Sequence, residues 1–464
     1  MHIRKDHHLS DSIDITEGVL QGDILSPLLF ILFIADIIKF FENRDVEGLN
    51  LNNLRQILML LYADDIAALS HSASSSEATL KVLKEYCDTN GLEVNISKTK
   101  IMACRTSGRI KKKDKGFQFK GKSIEVVKTY TYLGVALSSN LQGDIAATEA
   151  SKRGKQAIGS TYLILSRLGA ETWLSKKKLH DSMIKTTLLY LVHIWGLRKE
   201  ILDKLEATHL LYFKRIFHLP VCTPHYLPRL ELDIPHISPE VLKYAYNWVI
   251  KILDMREDRL SKLGLTRLIQ LSANYKSPNL NWTLPVKSLL SLIGEEQMFE
   301  DMNATHWKVN KDRILNKYRS FLKLQDLKRY SKSESCQSPI PRSLEDSLPI
   351  YLTRGSFHTI TPKLQLRVAN IYSCNISTKL GVIKLKPAEL CRFCHNSEKE
   401  TIAHFLINST FFSSLRSEYL QISKEDSDHL NLIIILDDHS TSGFKNLLNY
   451  LTACSELFNS ITPN

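Results

Sequence analysis

The stretch Leu58-Met59-Leu60-Leu61-Tyr62-Ala63-Asp64-Asp65-Ile66-Ala67-Ala68-Leu69 decides how this chain is read. Two adjacent acids between the apolar runs Leu58–Leu61 and Ile66–Leu69 predict a tight β-hairpin that carries both carboxylates to its tip. Burying bare carboxylates there would cost several kcal/mol, so the pattern asks for a neutralising cation. Carboxylate oxygens are what Mg²⁺ prefers, and two ions roughly 3.5–4 Å apart stabilise the attacking and leaving oxygens of an in-line phosphoryl transfer. Taken alone, the four residues Tyr62–Asp65 fit a solvated Asp-Asp turn as well.

The flanks carry more. Gly18-Val19-Leu20-Gln21-Gly22-Asp23-Ile24-Leu25-Ser26-Pro27 precedes the hairpin, and Gly91-Leu92-Glu93-Val94-Asn95-Ile96-Ser97-Lys98-Thr99-Lys100 follows it. Tyr130-Thr131-Tyr132-Leu133-Gly134-Val135 comes later. In this order and spacing, the four blocks resemble the palm of reverse transcriptases from non-LTR (LINE-type) retrotransposons, strongly over about residues 13–140 and more loosely, as a thumb, over 145–240. The resemblance implies that Asp64 and Asp65 hold Mg²⁺ (or Mn²⁺) and that Gln21, Gly22, Tyr62 and Ala63 border the incoming dNTP and the template. It places Lys98 near the pyrophosphate as a proton donor, and Tyr132, Leu133 and Gly134 in the primer grip. The partners it implies are an RNA template and a DNA primer.

Composition is compatible with this. Apolar residues at 43% and charged residues at 24% are ordinary for a folded chain, and 464 residues suffice for two or three domains. With 61 Lys+Arg against 49 Asp+Glu the net charge is +12, which favours a polyanionic partner. The eight cysteines are scattered, unlike a secreted disulfide framework, so an intracellular setting, nucleus or cytoplasm, is expected. No signal-peptide core is visible at the start; Leu28–Ala35 is too short to span a bilayer and reads as a buried helix.

Along the chain, Ser26-Pro27 predicts a helix start with a Ser26 N-cap, running to about Phe41. Ser74-x-x-Glu77 predicts a capping box, with Leu80, Leu83 and Cys87 on one face and Asn90-Gly91 at the end. Alternating Leu92, Val94 and Ile96 predict a strand closed by Lys98 and Lys100. Arg109–Gly116 is a basic loop that is either solvated or touches phosphate. From Ala146 to Leu219 the pattern is helical, with Ile158, Tyr162, Leu165 and Leu168, then Leu188, Leu191 and Trp195, then Leu205 and Leu210 on apolar faces. Lys176, Lys177, Lys178, Lys185, Arg198, Lys214 and Arg215 are interspersed, which suits a thumb gripping a duplex or an ordinary amphipathic bundle equally.

The expected fold is α+β: a partial right-hand polymerase palm with a ββαβ-like antiparallel sheet over 1–140, a helical thumb over 141–240, a helical connector over 241–380 with a Ser/Pro linker near 331–347, and a knuckle-like segment over 381–464. In that last segment Cys391-Arg392-Phe393-Cys394 with His404 resembles the Cys-x-x-Cys…His…Cys element of LINE-type proteins. Thiolate and imidazole suit Zn²⁺, but the family's last cysteine falls near Asn408-Ser409, so the shell is short of one ligand, with His395 awkwardly placed to replace it. The family's third metal aspartate lies on a strand well ahead of the Gln-Gly loop; Asp6, Asp11 and Asp14 are too close to that loop and lack the aromatic context. The expectation is therefore an N-terminally truncated RNA-directed DNA polymerase, without fingers or endonuclease and inactive by itself. The alternative is a host-retained, non-catalytic nucleic-acid-binding protein.

Overall fold

The computed structural model describes residues 4–5, 8–12, 18–19, 22–51, 55–105, 107–111, 116–169, 171–274, 281–334, 336, 338, 342–343, 348–372, 374–394, 398–420, 422–423, 425–438 and 440–461. Gln21, Asp6, Asp14, His395, Lys112–Lys115 and most of the 331–347 linker lie outside the described residues. The chain divides into two units, one of residues 1–133, 137–141 and 263–267, the other of 134–136, 142–262 and 268–464.

In the first unit the order is α1 (Ser26–Phe33), α2 (Ile37–Glu42), β1 (Leu49–Leu51), β2 (Arg55–Ile57), β3 (Met59–Tyr62), β4 (Asp65–Ala68), α3 (Ala73–Thr89), β5 (Lys100–Ile101), β6 (Gln118–Phe119), β7 (Lys122–Ser123), β8 (Glu125–Val126) and β9 (Thr129–Tyr132). The chain leaves this unit through the turn to β10 (Val135–Ser138). Helix, hairpin, helix and short strand follow in the expected order. The expected antiparallel sheet does not: among the described residues every sheet has two strands, and β5 pairs with β8 in parallel.

Several local expectations are corrected. The single helix to Phe41 is broken after Phe33, and Leu25 rather than Ser26 occupies the N-cap. Ile37 and Phe41 share a buried cluster with Val82 and Tyr86, and the Tyr86 hydroxyl donates to Asp36 Oδ1 at 2.7 Å, so α2 takes its direction from α3. Helix α1 is not buried: Leu28, Leu29, Ile31, Leu32 and Phe33 are each at least half exposed. The N-cap of α3 is Ser72, whose hydroxyl accepts from Ser75 N–H at 3.1 Å, not Ser74. Its end is as expected: Gly91 has φ +65°, and Leu92 N–H reaches Cys87 O in a Schellman closure.

Helix α3 buries two faces. Val82 and Tyr86 meet α2, while Leu80 and Leu83 pack on Phe117, Phe119 and Ile124. The strand expected over Leu92–Ile96 is absent because Asn95 diverts the backbone: its side-chain oxygen accepts from Ser97 Oγ at 2.7 Å and Lys98 N–H at 3.2 Å, and its carbonyl from Thr99 N–H. Lys98 therefore sits in a turn, and only Lys100–Ile101 is strand.

The second unit is helical, with α4 (Asp144–Leu168), α5 (Lys199–Ile216), α6 (Tyr226–Leu232), α7 (Ser238–Leu253), α8 (Ala304–Ser331) and α9 (Phe357–Arg367) ahead of the hairpin β11 (Cys374–Thr378) and β12 (Gly381–Leu385). Helices α10 (Ser413–Tyr419), α11 (Asp428–Asp437) and α12 (Thr441–Ile461) close it. Helix α4 buries the small-residue face Ala147, Ala150, Ser151, Gly154 and Ile158; Tyr162 and Leu168, expected in the core, are exposed. A Cβ on Gly154 would lie 2.9 Å from Leu188 and 3.1 Å from Thr208, so glycine is what allows this approach. Of the interspersed basic residues, Lys176 and Lys214 are buried; the Lys176 ammonium lies 4.0 Å from the Phe357 ring centre, and Lys214 donates to the carbonyls of Val221 and Thr223.

Two buried ion networks join distant parts of this unit. Arg229 binds Glu206 at 2.8 Å and Asp326 at 2.6 and 2.7 Å, and His236 adds a contact to Asp326 at 2.9 Å. Glu231, fully buried, is held by Arg342, Arg367 and the Tyr351 hydroxyl. The carboxy-terminal core gathers Ile376 and Ile383 of the hairpin with Phe405, Phe412, Tyr450 and Phe458.

Candidate active site and candidate metal centre

The hairpin β3–β4 pairs Met59 with Ala68, Leu60 with Ala67, Leu61 with Ile66 and Tyr62 with Asp65, leaving Ala63-Asp64 as a two-residue turn. Its base is anchored by buried Leu58 and Met59, while Tyr62, Asp64 and Asp65 at the tip are exposed. The expected desolvation penalty on the acids is therefore not present, and neither has a cationic partner among the described residues. Ala63 has φ +49°, a left-handed conformation in which a residue with a Cβ stores about 1–3 kcal/mol. That strain turns Asp64 outward directly beside Asp65.

A second strained turn lies at Leu133-Gly134, with φ +47° and +78° between β9 and β10. In the second unit, a Cβ on Gly134 would meet the Tyr190 ring at 3.1 Å, and the Gly134 carbonyl accepts from Arg153 Nη2 at 3.3 Å. In the first unit, burial and then the Asp65 charge raise the Tyr132 phenol above its ordinary value, so β9 lies within electrostatic reach of the acidic tip. The Tyr130 hydroxyl donates to Lys98 O at 3.3 Å, which ties the same strand to the Lys98 turn. Asp65 with Tyr132, and Lys98 with Tyr130, are thus the pairs that the structure links. Gly22 is exposed at φ +90° with no atom near its Cβ direction; Gln21 lies outside the described residues.

The sequence of residues 3–137 matches the family of reverse transcriptases (RNA-dependent DNA polymerases). Over 186 residues the chain is 27% identical to a probable RNA-directed DNA polymerase from transposon BS of Drosophila melanogaster, covering 39% of this chain and 20% of that protein. Over 276 residues it is 22% identical to the RNA-directed DNA polymerase from mobile element jockey of the same fly, covering 58% of this chain and 29% of that one. Residues 3–137 thus match the reverse transcriptase family, and the chain is similar to RNA-directed DNA polymerases of non-LTR retrotransposons. It is also 30% identical over 135 residues to a Pol polyprotein from the type-1 retrotransposable element R2 of Popillia japonica, covering 28% of this chain and 22% of that protein. The chain spans no more than about three-tenths of the length of these three relatives. No helix among its described residues is long and apolar enough to cross a membrane.

The carboxy-terminal knuckle is assembled in the second unit. Leu390 and Lys399 form a bridge, Cys391 N–H donates to Glu398 O at 2.8 Å, and Cys394 N–H points back to Cys391 Sγ at 3.4 Å, so the Cys-x-x-Cys loop folds tightly on itself. The ligand atoms of Cys391, Cys394 and His404 all lie within 4.8 Å of one another; among the described residues no other three such groups do. Zn–S bonds of about 2.3 Å put two sulfurs of a tetrahedral shell roughly 3.8 Å apart, so a small closure suffices.

His404 Nδ1 contacts Glu398 at 2.6 Å, and its buried Nε2 has no partner. A proton fixed on Nδ1 by Glu398 leaves the Nε2 lone pair available to a metal. Burial opposes ionisation of Cys394, yet hydrogen bonding led by Ser409, with Phe411 and Thr410, holds its thiol down to about 6, whereas burial pushes Cys391 up. Ser409, fully buried, places Oγ 2.8 Å from Cys394 Sγ. The donor set fits zinc with three protein ligands. The Glu398 partner was not singled out in the sequence, although an acid six residues ahead of His404 is the signal that finds it.

Proposed function

We propose that this chain serves RNA-directed DNA synthesis, with Asp64 and Asp65 as metal-holding carboxylates, Gln21, Gly22, Tyr62 and Ala63 beside dNTP and template, Lys98 toward the pyrophosphate, and Tyr132, Leu133 and Gly134 gripping the primer. The observation that carries the reading is the strained hairpin tip, which presents two adjacent carboxylates unneutralised and within electrostatic reach of β9. Bound Mg²⁺ or Mn²⁺ would supply charge stabilisation of the attacking and leaving oxygens. The chain's own contribution is orientation: the β3–β4 register fixes the acids relative to Tyr62, and the Asn95-built turn fixes the backbone carrying Lys98.

No third carboxylate joins Asp64 and Asp65 among the described residues. Two carboxylates hold a pair of ions weakly, so the 464-residue chain on its own should bind an RNA template annealed to a DNA primer without extending it. The same observation favours a second reading, a retained nucleic-acid-binding protein without catalysis. Primer extension with RNA template, Mg²⁺ and dNTPs, against an Asp64→Asn/Asp65→Asn control, tests the inactivity that both readings expect of the chain alone. Extension above the control establishes polymerase activity in this chain and refutes the expected inactivity.

A further inference from the structure

Helix α1 of the first unit has two apolar faces, and the fold covers one of them. At about 100° per residue, Ser26, Phe30 and Ile34 fall on the inner side, buried or partly buried, and Ile37 carries the chain on into the cluster around Tyr86. Leu25, Leu28, Leu29 and Leu32 fall on the opposite side at i, i+3, i+4 and i+7, each between 51% and 63% exposed, with Ile31 and Phe33 half exposed on its flanks. That spacing is the stripe by which a helix seats against another element. A helix that is apolar all round belongs inside a core, so the outer stripe is a face made for a partner.

Size, charge and symmetry select the partner. Ile24, just ahead of the helix, is 92% exposed. With it the face leaves roughly 700 Å² in water, taking about 180 Å² for each large apolar residue at its exposed fraction. The largest patch on a monomer is ordinarily about 300–600 Å², whereas each side of a standard protein interface contributes about 800 Å². No residue from Ile24 to Ala35 is charged, so the face offers nothing to a phosphate backbone. The nearest charges in sequence are Asp23 and Asp36, the wrong sign for an anionic membrane surface. An uncharged leucine row is, however, complementary to itself. An antiparallel copy interdigitates the two rows without burying a charge and sets the positive end of each helix beside the negative end of the other. One patch meeting itself across a two-fold axis closes at two chains.

We infer that the outer face of α1 is a homodimer interface, in which Leu25, Leu28, Leu29 and Leu32 of one chain pack antiparallel against the same row of a second copy. The inference depends neither on catalysis nor on nucleic-acid binding, so it stands or falls separately from the proposed function.

The test is sedimentation equilibrium of the full chain over a series of loading concentrations. A species of twice 53.1 kDa that dissociates on dilution is expected. Leu28→Gln/Leu32→Gln should raise the dimer Kd at least tenfold, because both side chains sit at the centre of the face. The control Leu163→Gln/Leu168→Gln changes two leucines of α4 that are at least as exposed and should leave Kd within about twofold. Leu29→Cys lies near the middle of the row, hence near the two-fold axis, and should form a disulfide-linked dimer on oxidation with copper–phenanthroline beyond the wild-type background. Leu163→Cys should not. A wild type that is monomeric at every concentration overturns the inference, and so does open-ended association without a defined dimer. A dimer that the α1 variant and the control weaken equally also overturns it and places the interface elsewhere. Binding to phosphatidylserine vesicles by a monomeric wild type, lost in the α1 variant, overturns it and assigns the face to a bilayer. Circular dichroism establishes that each variant is folded. If Leu28→Gln/Leu32→Gln is not, the Leu29→Cys cross-link keeps the test decisive, since its absence in a dimeric protein overturns the inference.

Discussion

Replacing Arg229 with Met would show how much of the second unit depends on charge brought together from distant sequence. Arg229 joins Glu206, 23 residues away, to Asp326, 97 residues away, and all three side chains are almost fully buried. Removing one member of such a network leaves uncompensated buried charge and costs about 3–5 kcal/mol. The pH dependence gives an independent magnitude. Burial raises the Asp326 carboxyl, but Arg229 and His236 outweigh it and hold the group at about 2, against an ordinary 3.8. A carboxyl moved that far carries roughly 2 kcal/mol, at about 1.36 kcal/mol per pH unit.

The shift is a depression, so in the wild type this contribution is complete above pH 3.8 and is lost as pH falls toward 2. In Arg229→Met the depression is gone, and burial raises the orphaned acids, so mild acid protonates them and relieves the penalty. The difference between the two proteins should therefore shrink by roughly 1–2 kcal/mol between pH 7 and pH 4. Urea unfolding followed by tryptophan fluorescence reads this unit alone, because Trp173, Trp195, Trp248, Trp282 and Trp307 all belong to it. Adding Glu206→Gln and Asp326→Asn should recover much of the loss. A loss under about 1 kcal/mol at pH 7, or one that is equal at both pH values, would refute the reasoning.

Three shorter predictions bear on the other elements. Ala63→Gly should relieve the positive φ and stabilise the β3–β4 hairpin by about 0.5–1 kcal/mol, seen as slower amide hydrogen exchange across Leu60–Ile66; unchanged or faster exchange contradicts strain at this turn. Tyr86→Phe removes the bond to Asp36 and should cost about 1 kcal/mol, with faster exchange in α2 while α3 stays protected; equal protection in both proteins counts against Tyr86 as the fixing contact. Ser409→Cys should add a fourth zinc ligand and tighten zinc in competition with a chromophoric chelator, with release as pH falls and the thiolates and His404 protonate. Equal, negligible zinc in both proteins would mean that the knuckle has decayed beyond one ligand.

The acidic hairpin was legible because everything that makes it is local: two apolar runs, Leu58–Leu61 and Ile66–Leu69, on either side of adjacent acids, and a two-residue turn. The end of α3 was legible for the same reason, since Asn90-Gly91 supplies its own closure. Leu92–Ile96 alternates as a strand does but is not one, because period cannot register that Asn95 offers the backbone another hydrogen-bond partner. Helix α1 was misjudged for a different reason. Its apolar composition is real, but composition does not say what lies against it, and its leucines stand exposed. The chain-wide ion networks left no trace in any window of sequence, because Arg229 and Asp326, or Glu231 and Arg367, become partners only after the helices have packed.

The two candidate metal sites divide along the same line. Residue type alone announces the chemistry: adjacent aspartates offer hard oxygen donors, and Cys391, Cys394 and His404 offer the softer set that zinc prefers. What residue type cannot announce is whether a shell is prepared. The knuckle is prepared, since Glu398 orients His404 and the Nε2 atom is left buried and unpaired. An orphaned acceptor of that kind is destabilising unless something binds it, which ties zinc affinity to knuckle stability. The hairpin acids stand in water, where an unoccupied carboxylate has no such penalty. Metal should accordingly stabilise the carboxy-terminal segment even without nucleic acid, whereas ions at Asp64 and Asp65 should be retained only when template, primer and dNTP bring further oxygen ligands to them.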